Sequence, residues 1–173
     1  MAGSFWRFNM PPDFGHVIRS LNRHEVEFVV LGASAAIAQG APIGTIDLDL
    51  GYRRTLENVG RLVEAMKPFH PRLRGVTEPI PFSFTTRAFM RGCNYTFVTD
   101  AGDVDLLGHI TGLGDYDAMT ANAISLSIFG CSVLVMDLGD VIKSKRAAGR
   151  LKDRAVLPVL EETFRLREIR KHR

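Results

Sequence analysis

Short apolar runs with the two-residue period of a strand alternate with segments that carry the 3.6-residue period of a helix. The run EFVVLG (27–32) precedes the small-residue segment ASAAIAQG (33–40). The run TIDLDLGY (45–52) precedes the amphipathic segment TLENVGRLVEAMKPF (55–69), which Thr55 can cap. Because each strand can bury a face beneath a helix, this order predicts an α/β (α+β) fold, a small mixed sheet flanked by helices.

Two β-hairpins and a first helix complete the predicted core. The helix spans about 13–24, with Asp13 as its cap. One hairpin turns at DAGD (100–103), and the other turns at Gly130. The segment 68–91 is rich in proline and arginine, which favours loops with one short helical turn.

The C-terminal end is predicted to be helical. Apolar residues recur at helical spacing on both sides of the basic segment KRAAGRLKD (145–153). Pro158 removes a backbone donor, which costs about 3 kcal/mol inside a helix, so the last helix is expected to begin or kink near it. We interpret 1–173 as one domain, with its core over about 25–136 and a helical part over about 137–173.

Several protein classes lack support. No apolar run approaches the roughly 20 residues of a membrane span, and the first residues lack the apolar block of a signal peptide, so a cytoplasmic protein without membrane contact is expected. Cys93 and Cys131 form no CxxC pair, and the five histidines show no HExxH spacing, which argues against zinc. The P-loop and serine-hydrolase motifs are also absent from the sequence.

Positive charge is concentrated at the C-terminal end. The net charge is +3, but 11 of the 22 lysines and arginines lie within 143–173, beside four acids. That segment carries +7 and the remainder carries −4. The asymmetry indicates either an anionic partner, such as a nucleotide or RNA, or a solvated basic helix face.

Two aspartates, Asp47 and Asp49, interrupt the second apolar run. Side chains alternate along a strand, so both carboxylates share one face, opposite Ile46, Leu48 and Leu50. Adjacent buried carboxylates repel each other and lose hydration, at a cost of several kcal/mol that a divalent cation relieves. The alternative is that the two acids form the solvent-facing edge of an amphipathic strand.

A third acid is expected from a separate strand, DVDLLG. Asp105 is the candidate, with Asp103 as the alternative. Carboxylate oxygens suit Mg²⁺, and two ions about 4 Å apart can hold both the entering and the leaving oxygens of a phosphoryl displacement. The pattern therefore predicts two Mg²⁺ ions, with Mn²⁺ as a substitute.

A glycine turn, LGASAA, lies upstream of the aspartates. Gly32 ends an apolar run and opens a helix, where exposed N–H groups attract phosphate and a glycine allows close approach. Ala33 and Ser34 follow it, so the GxGxxG dinucleotide fingerprint is absent.

Two segments carry a family resemblance. VVLGASAAIAQGAPIGTIDLDL resembles the opening of the nucleotidyltransferase superfamily, which has a strand, a Gly-Gly or Gly-Ser turn, a helix and a strand with Asp-x-Asp. KRAAGRLKDRAVLPVLEE resembles a segment of the minimal bacterial nucleotidyltransferases related to AbiEii-type toxins. This chain departs from the family at the second turn residue, where Ala33 replaces glycine or serine and Ser34 comes one place late.

The resemblance implies a role for each matching residue. The metal ligands are Asp47, Asp49 and Asp105, which with Lys145 form the catalytic set. The basic residues neutralise the phosphates of an NTP, and Asp153 orients them. Whether Lys143 or Lys145 faces the site is not decided by counting. The implied nucleotide-binding residues are Gly32, Ala33, Ser34, Thr45, Arg150, Lys152 and Asp153.

The implied activity is metal-dependent transfer of a nucleoside monophosphate from an NTP to a hydroxyl. The acceptor is the 3′ end of an RNA such as tRNA, a protein side chain or a small molecule. The resemblance further suggests a toxin with a cognate antitoxin, or a phage-defence protein. The alternative is an inactive relative that binds nucleotide or RNA as a regulatory module.

Two further features are interpreted as structural. His109 follows the strand of Asp105, where a structural role is favoured over that of a catalytic base. Packing is favoured over base stacking for the aromatic residues Phe82, Phe84, Phe89 and Tyr95.

Overall fold

A computed structural model describes residues 12–76 and 82–171. Within those residues, a seven-stranded sheet is surrounded by helices. The strands are β1 (Phe28–Val30), β2 (Asp47–Tyr52), β3 (Arg72–Leu73), β4 (Asn94–Thr99), β5 (Gly102–Leu107), β6 (Ile124–Ile128) and β7 (Cys131–Val135). The helices are α1 (Phe14–Arg23), α2 (Gly32–Ala38), α3 (Leu56–Met66), α4 (Thr86–Arg91), α5 (Tyr116–Thr120), α6 (Leu138–Ala148) and α7 (Leu151–Lys171).

The sheet is mixed, as predicted, with the strand order β3-β4-β5-β2-β1-β7-β6. Strand β2 runs parallel to β5, strand β1 runs parallel to β7, and the remaining pairs are antiparallel. Strand β2, which carries the two aspartates, lies in the interior of the sheet between β5 and β1.

The predicted helix caps and hairpins are confirmed. The side chain of Asp13 accepts a hydrogen bond from the N–H of His16, and that of Thr55 accepts one from Asn58, which satisfies a free donor at each helix start. Strands β4 and β5 form the first hairpin and β6 and β7 the second. Gly130 has a φ of +79° in the second turn, a conformation that a side chain would disfavour.

The apolar face of β2 belongs to the core. Leu48 and Leu50 are buried, whereas Ile46 precedes the strand and is 80% exposed, which corrects its assignment to the buried face. Helix α1 packs on α3, α2 packs on α6, and α6 packs on α7. The face that carries the aspartates therefore remains available for polar chemistry.

The proline-rich segment holds more structure than its sequence predicts. A 3₁₀ turn (Lys67–Phe69), strand β3 and helix α4 lie within or beside it, while residues 77–81 are outside the described part. The aromatic residues pack against one another, with ring centroids 4.6 Å apart for Phe89 and Tyr95 and 5.0 Å apart for Phe84 and Phe89. Phe89 is fully buried, which is the packing role predicted for this cluster.

The two C-terminal helices meet at a tight turn. Gly149 has a φ of +63°, and its N–H donates to the carbonyl of Lys145, which ends α6. Helix α7 then begins at Leu151, so the expectation that it begins at Pro158 is wrong. Arg167 donates to Gln39 and Asp137, which ties α7 to the core. No helix in the described ranges is both long and apolar enough to cross a bilayer.

Candidate active site

Strand pairing brings the predicted acids together. In the parallel register of β2 and β5, Asp49 lies beside Asp105, and Asp47 lies beside Asp103. One carboxylate oxygen from each of Asp47, Asp49 and Asp105 lies within 4.8 Å of the others, and we call these three residues the acidic triad. Asp103, the alternative third acid, is not among these three residues, and its carboxylate pairs with Arg74.

The hydroxyl of Thr45 sets the orientation of Asp47. It donates to the Asp47 carboxylate at 2.8 Å and contacts the Asp47 carbonyl oxygen at 3.0 Å. Ser34 donates to that same carbonyl at 3.4 Å, so its hydroxyl contacts β2. These contacts hold one triad carboxylate in place and leave its second oxygen available.

The carboxylate of Asp49 is in an environment that disfavours its charge. Burial is the main cause that raises its pKa to about 6, and the charges of Asp47 and Asp105 raise it further. Lys145 and Lys152 oppose this increase. Among the described residues, no hydrogen-bond donor contacts the Asp49 side chain. Three hard oxygen donors at this separation fit a divalent cation such as Mg²⁺.

The raised pKa of Asp49 predicts a pH-dependent stability. Between about pH 4 and pH 6, the folded protein retains the Asp49 proton that the unfolded chain has released, so this group lowers the free energy of unfolding as pH rises through that window. In metal-free protein, the stability of Asp49→Asn relative to wild type should therefore increase by up to about 3 kcal/mol from pH 4 to pH 7. Urea unfolding of both proteins in EDTA measures this difference, and a difference that does not change with pH would contradict the assignment.

Position 32 requires a glycine because of its backbone conformation and because Asp49 lies close to it. Its φ is +56°, and a Cβ there would lie 2.2 Å from the Oδ2 atom of Asp49. Helix α2 begins at this residue, and no side chain caps it. The glycine turn therefore allows the start of α2 to approach the acidic triad closely.

Substitution of Gly32 by alanine should damage the site as well as the fold. The positive φ and the contact with Asp49 should together lower the free energy of unfolding by about 2 kcal/mol or more, and displacement of Asp49 should weaken Mn²⁺ binding. Gly40→Ala is the matched control, because Gly40 has a φ of +94° but a Cβ added there would have no neighbouring atom within 4 Å. Equal Mn²⁺ affinity in the two variants would contradict the role of the close approach.

A cleft of about 990 Å³ extends from the acidic triad. This volume lies within the range of small-molecule sites. Gly32, Ala33 and Thr45 line the cleft near the acids, and Lys145, Arg150 and Lys152 line it from α6, from the turn after α6 and from α7, respectively. The cleft is therefore acidic at one wall and basic at the other.

Lys145 faces this cleft and Lys143 does not line it. The side chain of Lys145 is 15% exposed and its ammonium lies 3.1 Å from Asp153, whereas Lys143 is exposed on α6. The structure thus distinguishes two lysines that the sequence leaves equivalent.

Asp153 is a buried carboxylate that binds the side chains of Lys145 and Arg150. Its carboxylate is fully buried and accepts hydrogen bonds from Arg150, at 2.6 Å, and from Lys145, at 3.1 Å. Burial alone would raise the pKa of Asp153, but these two bonds outweigh it and hold the pKa below its usual range. Asp153 therefore remains charged and fixes both cations beside the cleft.

Arg74 is a site residue that the sequence does not indicate. It lies directly after β3, and its guanidinium contacts Asp103 and Asp105. Since β3 has only two residues, no periodic pattern shows that it joins the sheet. His109 also lines the cleft, but it is exposed, and its backbone N–H donates to the side chain of Asn94.

Comparisons with known proteins identify the fold. No protein-family model and no curated protein matches this sequence. The structure resembles that of the antibiotic-resistance factor ANT(2″)-Ia, with a TM-score of 0.54 and 12% identity over 91% of this chain and 88% of that chain. The chain has the nucleotidyltransferase fold. A proposed nucleotidyltransferase from Thermotoga maritima also matches, with a TM-score of 0.49 and 15% identity over 91% of this chain and 89% of that chain.

The nucleotidyltransferase fold was the prediction drawn from the glycine turn and the Asp-x-Asp strand, and it is confirmed. In this chain, the acidic triad lies on the strands β2 and β5, and the basic residues lie on the C-terminal helices and in the turn between them. The likeness establishes the architecture, while the chemistry depends on the residues of the site.

Proposed function

We propose that the protein transfers a nucleoside monophosphate from an NTP to a hydroxyl acceptor, with Mg²⁺ as its cofactor and pyrophosphate as the leaving group. The observation that carries this proposal is the acidic triad, whose oxygens lie within 4.8 Å of one another beside a basic wall. A structural role would rarely justify three carboxylates at this separation, because their mutual repulsion opposes folding.

Asp47 and Asp49 are the proposed ligands of Mg²⁺, for which Mn²⁺ can substitute, and Asp105 completes the site beside the acceptor hydroxyl. When bound, the cation supplies positive charge that offsets the charge of the phosphates and of the oxygen that leaves. The hydroxyl of Thr45 holds Asp47 in the orientation that this role requires.

The remaining residues bind and orient the NTP. Lys145, Arg150 and Lys152 contribute positive charge to the wall opposite the acids, where the triphosphate would lie. The backbone N–H groups from Gly32 to Ser34 lie at the start of α2, near Asp49, and contact the phosphates in this proposal. Asp153 keeps Lys145 and Arg150 in position before the substrate arrives.

The proposed reaction forms one phosphorus–oxygen bond and breaks another. The acceptor hydroxyl oxygen attacks the α-phosphorus while the bond from that phosphorus to the bridging oxygen of pyrophosphate breaks, and pyrophosphate leaves with the electron pair. The hydroxyl proton passes to the Asp105 carboxylate, which acts as the general base. Positioned charges rather than a covalent intermediate account for the catalysis.

RNA is the acceptor class that the charge distribution supports. The segment 143–173 carries +7, and lysine and arginine contacts to phosphates give RNA affinity that does not depend on sequence. A 3′-terminal hydroxyl of an RNA such as tRNA would then be the acceptor, in preference to a protein or a small molecule. The sequence resemblance to AbiEii-type proteins supports a further proposal, that the protein is a toxin controlled by a cognate antitoxin.

The test is a transfer assay with each α-³²P-labelled NTP, Mg²⁺ and total RNA or lysate. Wild-type protein should label a macromolecule with one NTP, and Asp47→Asn should not. Asp140→Asn is a matched control, because Asp140 lies on α6 and contacts Asn122 rather than the cleft. Nucleotide binding without transfer by wild-type protein would support the inactive regulatory module instead.

A further inference from the structure

Arg74 binds the carboxylate of Asp105, and the proposed function gives this arginine no role. The Nη2 atom of Arg74 donates to both carboxylate oxygens of Asp105, at 2.7 and 2.9 Å, and its Nη1 atom donates to Asp103 at 3.0 Å. The side chain of Asp105 is only 15% exposed. Arg74 therefore places a fixed cation beside a triad that would otherwise carry three uncompensated charges.

The register of the sheet shows why this arginine reaches Asp105. Leu73 pairs with Phe97, so the next residue, Arg74, lies opposite Thr96, and its N–H donates to the Thr96 carbonyl at 2.9 Å. Thr96 pairs with Asp105, and Asp105 pairs with Asp49. A single row of side chains, Arg74–Thr96–Asp105–Asp49, thus crosses four strands on one face of the sheet.

The intermediate position in this row is occupied by a small side chain. Arg74 must span two strand spacings, roughly 10 Å, to reach Asp105. The short side chain of Thr96 leaves room above the sheet for the guanidinium, and Thr96 itself lines the cleft. The contact is therefore built into the strand pairing, and the backbone of Arg74 is held by the sheet.

We infer that Arg74 takes the place of a second divalent ion, so that the site binds one metal ion rather than two. Asp47 and Asp49 remain available to that ion, since neither contacts Arg74, while Arg74 already neutralises Asp105 and bridges it to Asp103. The two ions expected from the sequence are replaced by one ion and one guanidinium. This inference rests on the proposed function, and it specifies the metal content of the same site.

Two consequences follow for the role of Arg74. It is a positioning residue, because it acts on the substrate through Asp105. Like an ion, an arginine is always charged, but unlike an ion it cannot be removed by chelators. The protein should therefore need one equivalent of metal for a complete site.

The test counts Mn²⁺ ions per chain by equilibrium dialysis and by EPR at saturating Mn²⁺, with and without the α,β-methylene analogue of the NTP that supports transfer. Wild-type protein should bind one ion. Arg74→Ala and Arg74→Gln should each bind two, because the removal of the guanidinium leaves Asp103 and Asp105 without a counter-charge. Arg74→Lys, which keeps a cation there, should bind one. Thermal unfolding confirms that each variant is folded.

Arg72→Ala is the matched control, because it removes one positive charge from the same strand, two residues away, and should leave the count at one. Two ions in wild-type protein, or one ion in both neutral variants, would overturn the inference. A wild-type protein that binds two ions and transfers nucleotide would leave the proposed function intact. The absence of bound Mn²⁺ in every variant would refute both.

Discussion

Asp49→Asn is expected to reduce nucleotidyl transfer by about a thousandfold or more. Burial and the neighbouring acids raise the pKa of Asp49 to about 6. Of the three carboxylates in the acidic triad, that of Asp49 should therefore be stabilised most in its charged form by a bound cation. Loss of a metal ligand forfeits several kcal/mol of charge stabilisation, and each 1.4 kcal/mol corresponds to a tenfold change in rate. The measurement is kcat/KM in the transfer assay at saturating Mg²⁺.

The same substitution should also separate metal binding from folding. Mg²⁺ should raise the Tm of wild-type protein and leave that of Asp49→Asn unchanged, because a ligand that binds only the native state stabilises it by mass action. Asp117→Asn is the control, since Asp117 is exposed and pairs with Arg53 outside the cleft. Retention of activity and of the Mg²⁺ response by Asp49→Asn would contradict the account.

Asp153→Asn is the second substitution with a large expected effect. It removes the charge that holds Lys145 and Arg150, and the loss of one partner of a buried ion pair typically costs about 3–5 kcal/mol. We expect about 3 kcal/mol, because Arg150 is 61% exposed and can be hydrated after its partner is lost. We also expect KM for the NTP to rise at least about tenfold, since the two cations would no longer be positioned.

Glu161→Gln is the matched control for this prediction. Glu161 lies on the same helix and pairs with Arg146, but both side chains are exposed, so its loss should change the free energy of unfolding by less than about 1 kcal/mol. Urea unfolding and NTP titration of both variants make the comparison. An unchanged KM in Asp153→Asn would show that Asp153 supports the helices without orienting the cations.

The sequence supports prediction of the acidic triad because its members lie in strands with clear patterns. Alternation places Asp47 and Asp49 on one face, and the turn-bounded strand DVDLLG carries Asp105. The parallel pairing of β2 with β5 was not predictable from either strand alone, since it depends on the crossover that brings distant segments side by side. That pairing places Asp103 beside Asp47 and Asp105 beside Asp49, and of these two acids it is Asp105 that has a carboxylate oxygen within 4.8 Å of those of both Asp47 and Asp49.

Residues whose positions depend on tertiary contacts were harder to predict. The choice between Lys143 and Lys145 follows from the buried contact of Lys145 with Asp153, which no helical periodicity specifies. The position of Arg74 beside the acidic triad depends on a two-residue strand at the edge of the sheet. Pro158 lies inside α7 although an isolated helix would be expected to break there, because packing of α7 on α6 offsets the cost of the missing donor.

The most direct test of the account is a crystal structure with Mn²⁺ and the non-hydrolysable analogue of the NTP that supports transfer, with anomalous diffraction used to locate manganese. We expect an anomalous peak at coordination distance from the carboxylates of Asp47 and Asp49, between them and the α-phosphate. A nucleotide bound elsewhere, or a cleft in which the acids remain without manganese at saturating concentration, would contradict it.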